Sequence, residues 1–309
     1  MRIAIMGAGA LGGYFGGRLA AAGFDVTFIA RGAHLAAMKT TGLKIESPRG
    51  NLCLPQVNAT DDPCEVGPVD HVLFLVKNYD VEPAAHAIAP MLGPETAVAA
   101  FQNGVSAAER LGAVIGAERV IGGVARIPAD VRKPGVIRHS SAHHELVFGE
   151  FGAPASERCL HLRDALRASG VDAEVAPDIV TLLWEKFVML SALSAVTALS
   201  RLDIGPIRNN PMSTALLRAA AEECAAVGRA VHPALDADIA ERQCRFLDTM
   251  PGNVHASMLD DLERGKRLEL NYLSGDIVRL GREHGIPTPV HYVAQSALQP
   301  YVDGPPGAG

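Results

Sequence analysis

Cysteine is scarce in this sequence. Cys53, Cys64, Cys159, Cys224 and Cys244 are scattered over 309 positions, and no two form a C-x-x-C pair. An odd, dispersed set argues against a disulfide framework or a thiolate zinc site. It suits reduced thiols in a cytoplasmic protein. Excess positive charge is lacking too. The net charge of −6 disfavours nucleic acid, or an anionic membrane, as the main partner. Nor is there a long hydrophobic run: the longest, around 187–200, is shorter than a membrane span and carries serines. The opening MRIAIMG reads as a strand, not a leader. His139, His143 and His144 cluster, but in a strand-like segment without acidic or cysteine partners at ligand spacing, so no metal is expected. What is there is a globular composition, 48% hydrophobic and 20% charged, in a chain long enough for two domains.

The first half alternates short apolar runs with helical patterns. IAIM (3–6), DVTFIA (25–30), HVLFLV (71–76) and AVAAF (97–101) are near-continuous hydrophobic strands, as in a parallel sheet covered on both faces. Helical patterns fall at 10–22, 33–40, 80–92 and 106–115. The segment 43–60 reads as two strands around a turn at Pro48-Arg49-Gly50. More strands follow 120, then a helix near 156–168 and a strand at 173–176. The expected fold is α/β: a doubly wound, mainly parallel Rossmann domain over 1–175. From Pro177 the pattern becomes all-helical, with helices expected at 178–199, 211–230, 236–248 and 267–284. A helical substrate and catalytic domain is therefore expected over 176–302, and a disordered tail over 303–309.

Gly7, Gly9 and Gly12 form a G-x-G-x-x-G motif, with Ala10 and Leu11 inside it. The motif follows a strand, opens a helix and precedes a second strand, which is the context of a dinucleotide site. Gly7 permits the tight turn, Gly9 lets a pyrophosphate approach, and Gly12 allows close helix–strand packing. The helix N-terminus offers N–H groups to the phosphates. Gly13, Gly16 and Gly17 weaken the helix intrinsically, so tight packing is expected there. An NAD site usually carries an acid at the end of the second strand. Here Ala30 is followed by Arg31, whose guanidinium suits a 2′-phosphate, so NADP(H) is expected.

Lys186 poses a separate question. It stands near the start of TLLWEKFVMLSALSAVTALS, and no other charge follows it in that stretch. On the stretch alone it could simply face water at the helix edge. The rest of the chain offers another role. The whole constellation resembles the ketopantoate reductase (2-dehydropantoate 2-reductase) family over nearly the full chain. The resemblance rests on GAGALGGYFGGRLAAAG, ARG at 30–32, LVK at 75–77, QNG at 102–104, WEKF at 184–187, SMLDDLERG at 257–265, ELNYLSG at 269–275 and GREHGIPTP at 281–289. It implies NADPH-dependent reduction of a 2-keto acid to a 2-hydroxy acid. It also implies that Lys186 is the catalytic lysine, Glu269 its partner carboxylate and Asn103 the asparagine of the NG motif, serving cofactor as well as catalysis. Lys77 then matches a lysine of the cofactor site, and Ser257 the serine that binds the substrate carboxylate. The chemistry agrees: hydride attack on a ketone builds negative charge on oxygen, which an ammonium can stabilise and protonate.

The chain departs from the family at the face that reads the substrate. Asparagines are usual four and eight residues after the catalytic lysine, on its helical face. Leu190 and Ser194 stand there, and Ser274 replaces a third asparagine. A pocket lined by Lys186, Leu190 and Ser194 is expected to be more apolar, and to handle ketopantoate less well than a more apolar 2-keto acid. Leu190 also speaks against a β-hydroxyacid dehydrogenase, which normally has asparagine there. A non-catalytic NADP(H) sensor is the reading from another class, and retention of Lys186, Glu269, Ser257 and Asn103 together speaks against it. The expected partner is a small-molecule substrate, in a cytoplasmic chain whose candidate assembly is a homodimer.

Overall fold

The computed structural model describes residues 1–307. It divides into two compact units: Met1–Gln102 with Ala107–Ile179, and Asn103–Ser106 with Val180–Gly309. The division at 179/180 lies a few residues beyond the expected boundary at 175. The four-residue excursion at 103–106 has no counterpart in a simple cut.

The first unit begins with β1 (Arg2–Met6), α1 (Ala10–Ala21), β2 (Asp25–Ile29), α2 (Gly32–Thr41), β3 (Leu43–Glu46), β4 (Leu52–Leu54) and β5 (Asn58–Thr60). Then come β6 (Val69–Phe74), α3 (Val81–Ala87), β7 (Leu92–Ala100), α4 (Ala107–Ile115), β8 (Val120–Arg126), β9 (Ala129–Lys133), β10 (Val136–His139), β11 (Glu145–Gly149), α5 (Glu157–Ala168) and β12 (Asp172–Val175). Eight strands form one sheet in the order β12-β11-β8-β7-β6-β1-β2-β5. All neighbours run parallel except β8 and β11. Alternate residues of β1 serve opposite faces: Ile3 and Ile5 join one buried cluster, Ala4 and Met6 another. That two-sided burial is why the strand reads as a continuous apolar run. A second, four-stranded sheet runs in the order β4-β3-β10-β9, which the apolar pattern of the sequence does not mark as separate.

The histidine cluster belongs to this unit. His144 accepts from Arg49 Nε at Nε2 (2.8 Å), and its Nδ1 lies 2.8 Å from the Tyr14 hydroxyl. His139 bonds the His143 carbonyl through Nε2 and the Ser47 hydroxyl through Nδ1. These imidazoles tie the turn around Arg49 to the fold.

The second unit is helical: α6 (Ile179–Ser200), α7 (Ile204–Arg208), α8 (Pro211–Val231), α9 (Ile239–Thr249), α10 (Ser257–Glu263), α11 (Ser274–His284) and α12 (Pro289–Leu298). Asn210 caps α8, its side chain accepting from Met212 and Ser213 N–H, with Pro211 in the first turn. Gly285, at φ 69°, ends α11 in the left-handed region. At 22 residues α6 is longer than the expected apolar run and could cross a membrane by length and composition. It is instead a core helix, with Ser191–Ala198 buried. The expected helix 267–284 is broken: a 3-10 turn covers Leu270–Tyr272, and α11 starts only after Leu273 at φ −111°, ψ −94°.

The tail expected to be disordered from 303 is partly tied down. Asp303 pairs with Arg267 at 3.0 Å, and Gly304 is buried with its N–H on the Tyr301 carbonyl. The last two positions of that segment, 308 and 309, lie outside the described residues.

Candidate functional site

The glycine turn explains itself atom by atom. Gly7 has φ +95°, and a Cβ there would sit 2.8 Å from the Val76 nitrogen, so only glycine closes the turn against the chain after β6. A Cβ on Gly12 would meet the Gly7 carbonyl oxygen at 2.3 Å and Ile5 Cγ2 at 2.8 Å, so α1 can lie this close to β1 only without a side chain. Gly16 and Gly17 are pressed on Phe28 and Ile45 in the same way. At Gly9, by contrast, a Cβ would meet nothing within 4 Å. Packing does not require that glycine; the space above it is kept open.

That space belongs to a cavity of about 310 Å³ lined by Gly7, Ala8, Gly9, Arg31, His34, Lys77 and Asp80 among others. Its size is within the range of small-molecule sites. Arg31 is exposed and caps α2, immediately after β2. Lys77 is half-buried after β6. Ala10 and Leu11 form the first turn of α1. Sequence reasoning missed His34, one helical turn after Arg31. Its Nδ1 accepts from the Gly135 N–H at 3.1 Å, and burial holds its pKa below the ordinary range. It also missed Gln102, which follows β7. The Gln102 amide donates to the Phe74 and Val76 carbonyls at 2.9 and 3.1 Å, leaving its Oε1 buried with no partner among the described residues. The open position at Gly9 and the orphan acceptor at the carboxyl end of the sheet both fit a dinucleotide.

In the second unit the structure brings Asn103 and Lys186 together: Lys186 Nζ donates to Asn103 Oδ1 at 3.0 Å. An ammonium only donates, so the oxygen end of the amide must face it. Lys186 is half-buried, and Phe187 beside it is buried at 1% exposure. Glu269 is buried at 6% and precedes the 3-10 turn, so it is not a solvated helix residue. Gly104, at φ +91°, lies against that turn; a Cβ on it would fall 2.8 Å from the Tyr272 carbonyl oxygen.

The residues expected to read the substrate are placed unequally. Leu190 is half-buried on α6, whereas Ser194 is buried at 1% and its Oγ has no hydrogen-bond partner among the described residues. Ser257 is exposed at the first position of α10. Ser274 turns inward: its hydroxyl bonds His291 Nδ1 at 3.2 Å, and His291 Nε2 donates to the Ala220 carbonyl at 3.0 Å. Ser274 is thus a core contact.

Comparison with known proteins follows the same division. Residues 3–153 match a family model described as "Ketopantoate reductase PanE/ApbA", and residues 178–301 match its C-terminal counterpart. The chain is 34% identical over 286 residues to a protein of Archaeoglobus fulgidus named 2-dehydropantoate 2-reductase, covering 92% of each. A solved PanE/ApbA family ketopantoate reductase from Ralstonia eutropha JMP134 superposes with a TM-score of 0.89 at 36% identity, covering 97% of this chain and 98% of that one. A D-mandelate dehydrogenase solved with NADH and anilino(oxo)acetate has the same fold, with a TM-score of 0.88 at 21% identity and coverage of 97% and 98%.

Proposed function

The chain belongs to the ketopantoate reductase family, oxidoreductases acting on CH–OH groups, and from that premise we propose that it reduces ketopantoate or a close 2-keto acid with NADPH. The observation that carries this reading is the Lys186–Asn103 contact, an ammonium held by a neutral acceptor on a wall of apolar side chains.

A nicotinamide cofactor held at the glycine turn would supply the hydride. The remaining work falls to this chain. The N–H groups at the start of α1 receive the phosphates, with Gly9 leaving room for them. Arg31 takes the 2′-phosphate and Lys77 lends a second positive charge. Gln102 Oε1 would accept from a donor such as the cofactor's carboxamide. Ser257 holds the substrate carboxylate. Lys186 stabilises the oxygen on which charge develops and gives it a proton, so the ketone gains one hydride and one proton. Asn103 orients the ammonium, and Glu269 balances its charge. Reduced thiols and the negative net charge agree with a cytoplasmic setting.

The second reading, a more apolar 2-keto acid as the preferred substrate, rests on Leu190, which can neither donate nor accept. A panel of 2-keto acids including ketopantoate, followed by NADPH oxidation, separates the two. The leading reading expects ketopantoate to give the highest kcat/KM. A clear preference for apolar or aromatic side chains selects the second, and no turnover with any member contradicts both.

A further inference from the structure

The four residues Asn103–Ser106 belong by their contacts to the second unit, although the chain on either side belongs to the first. Each is anchored differently. Asn103 accepts from Lys186, Gly104 rests on the Tyr272 carbonyl, and Val105 packs against the helical core. Ser106 is buried at 8%, and its hydroxyl donates to Asp276 Oδ2 at 2.5 Å. Asp276 lies on α11 and is itself 6% exposed. Its other oxygen receives Arg279 Nη2 at 3.2 Å, and Arg279 also bonds Glu283. A carboxylate buried this far is expensive to desolvate, and an apolar residue would stabilise the helix packing at least as well. The contact is short and charge-assisted, so it fixes position strongly. Nothing in the sequence pattern marks Asp276, which falls inside an ordinary amphipathic helix.

We propose that Asp276 is a positioning residue of the reductase site, clasping Ser106 so that the 103–106 segment presents Asn103 Oδ1 to Lys186. The inference rests on the reading of Lys186 as the acid. Without the clasp, the Asn103 amide must follow a loosened backbone. Lys186 loses a well-placed acceptor. Because that acceptor favours the charged form of the lysine, its loss lowers the lysine's pKa, and the alkaline limb of the rate profile moves to lower pH.

The test uses the full chain with NADPH and the best 2-keto acid of the panel. Ser106→Ala removes the clasp and keeps the Asp276 charge. Asp276→Ala removes both, and Asp276→Asn keeps an acceptor for the Ser106 hydroxyl. The expected result for Ser106→Ala and Asp276→Ala is a kcat about 10- to 100-fold lower, as for a reacting group displaced by about 1 Å, with KM and NADPH affinity nearly unchanged. Their alkaline limb falls by roughly one pH unit, while Asp276→Asn stays within about threefold of the parent rate. A residue that only stabilised the fold would lower Tm without moving the limb. Parent-like kcat and pH profile in Ser106→Ala overturn the inference, as does an Asp276→Asn as impaired as Asp276→Ala. If Asp276→Ala does not fold, Ser106→Ala decides alone. Lys186→Ala is run alongside: loss of its activity with an unaffected Ser106→Ala refutes the clasp only, whereas full activity in Lys186→Ala removes the premise and the clasp together.

Discussion

Arg31 is a single exposed side chain at the start of α2, yet the choice between two cofactors is assigned to it. If it reads the 2′-phosphate, Arg31→Ala weakens NADPH binding by about 1.5–3 kcal/mol, the scale of hydrogen bonds to a charged group, and leaves NADH binding nearly untouched. Fluorescence titration with both cofactors measures this, and an equal loss for both would show that Arg31 does not discriminate. Leu190 and Ser194 lie one turn apart on α6, but their environments differ. An asparagine at 194 would have to enter a closed site, where overpacking costs roughly 1–3 kcal/mol. Leu190→Asn alone is therefore the informative change. It should shift kcat/KM toward ketopantoate, relative to an apolar 2-keto acid, by on the order of 1 kcal/mol. An unchanged ratio would mean that position 190 does not face the substrate.

At the scale of elements, the glycine turn separates binding from packing. Gly9→Ala places a methyl in open space, so Tm should hold while NADPH affinity falls. Gly12→Ala drives a methyl into the Gly7 carbonyl and Ile5, so α1 must move from β1 and stability should drop by roughly 1–3 kcal/mol. Thermal melts with and without NADPH distinguish the two, and equal losses of stability would contradict this division of roles. This turn was legible in the sequence because each glycine answers a local constraint that any βαβ unit imposes. The parallel strands were legible for a similar reason, since burial on both faces leaves unbroken apolar runs. The four-stranded second sheet was not, because β3, β4, β9 and β10 are short and β3 pairs with β10 across about ninety residues. The break at Leu273 was also hidden. The apolar spacing of 267–284 suits a helix, and only the backbone at Leu273 shows that the 3-10 turn after Glu269 stands apart from α11. Lys186 could be singled out as an oddity, whereas its contact with Asn103 joins residues 83 positions apart and no local pattern foretells it.

Over the whole molecule, burial of several histidines shapes the response to acid. Burial pushes His71, His144 and His291 down to about 4 from an ordinary value near 6.5. The unfolded chain therefore takes up protons before the folded one does. The stability that these neutral histidines contribute is full above about pH 6.5 and is lost as pH falls through that value toward 4, where the loss levels off. For His291, buried completely, the cost is on the order of 3 kcal/mol. Urea unfolding between pH 7.5 and 4 should show this slope, and His291→Asn should flatten it; an unchanged slope would mean that His291 does not contribute.

We propose a working reductase whose proton comes from Lys186. Single-turnover and steady-state NADPH oxidation by Lys186→Ala tests it most directly, with NADPH binding measured on the same sample. The expected result is a kcat lower by roughly 10²–10⁴, the range for a positioned acid–base group, while NADPH still binds. Near-parental turnover with a 2-keto acid in that variant would contradict it.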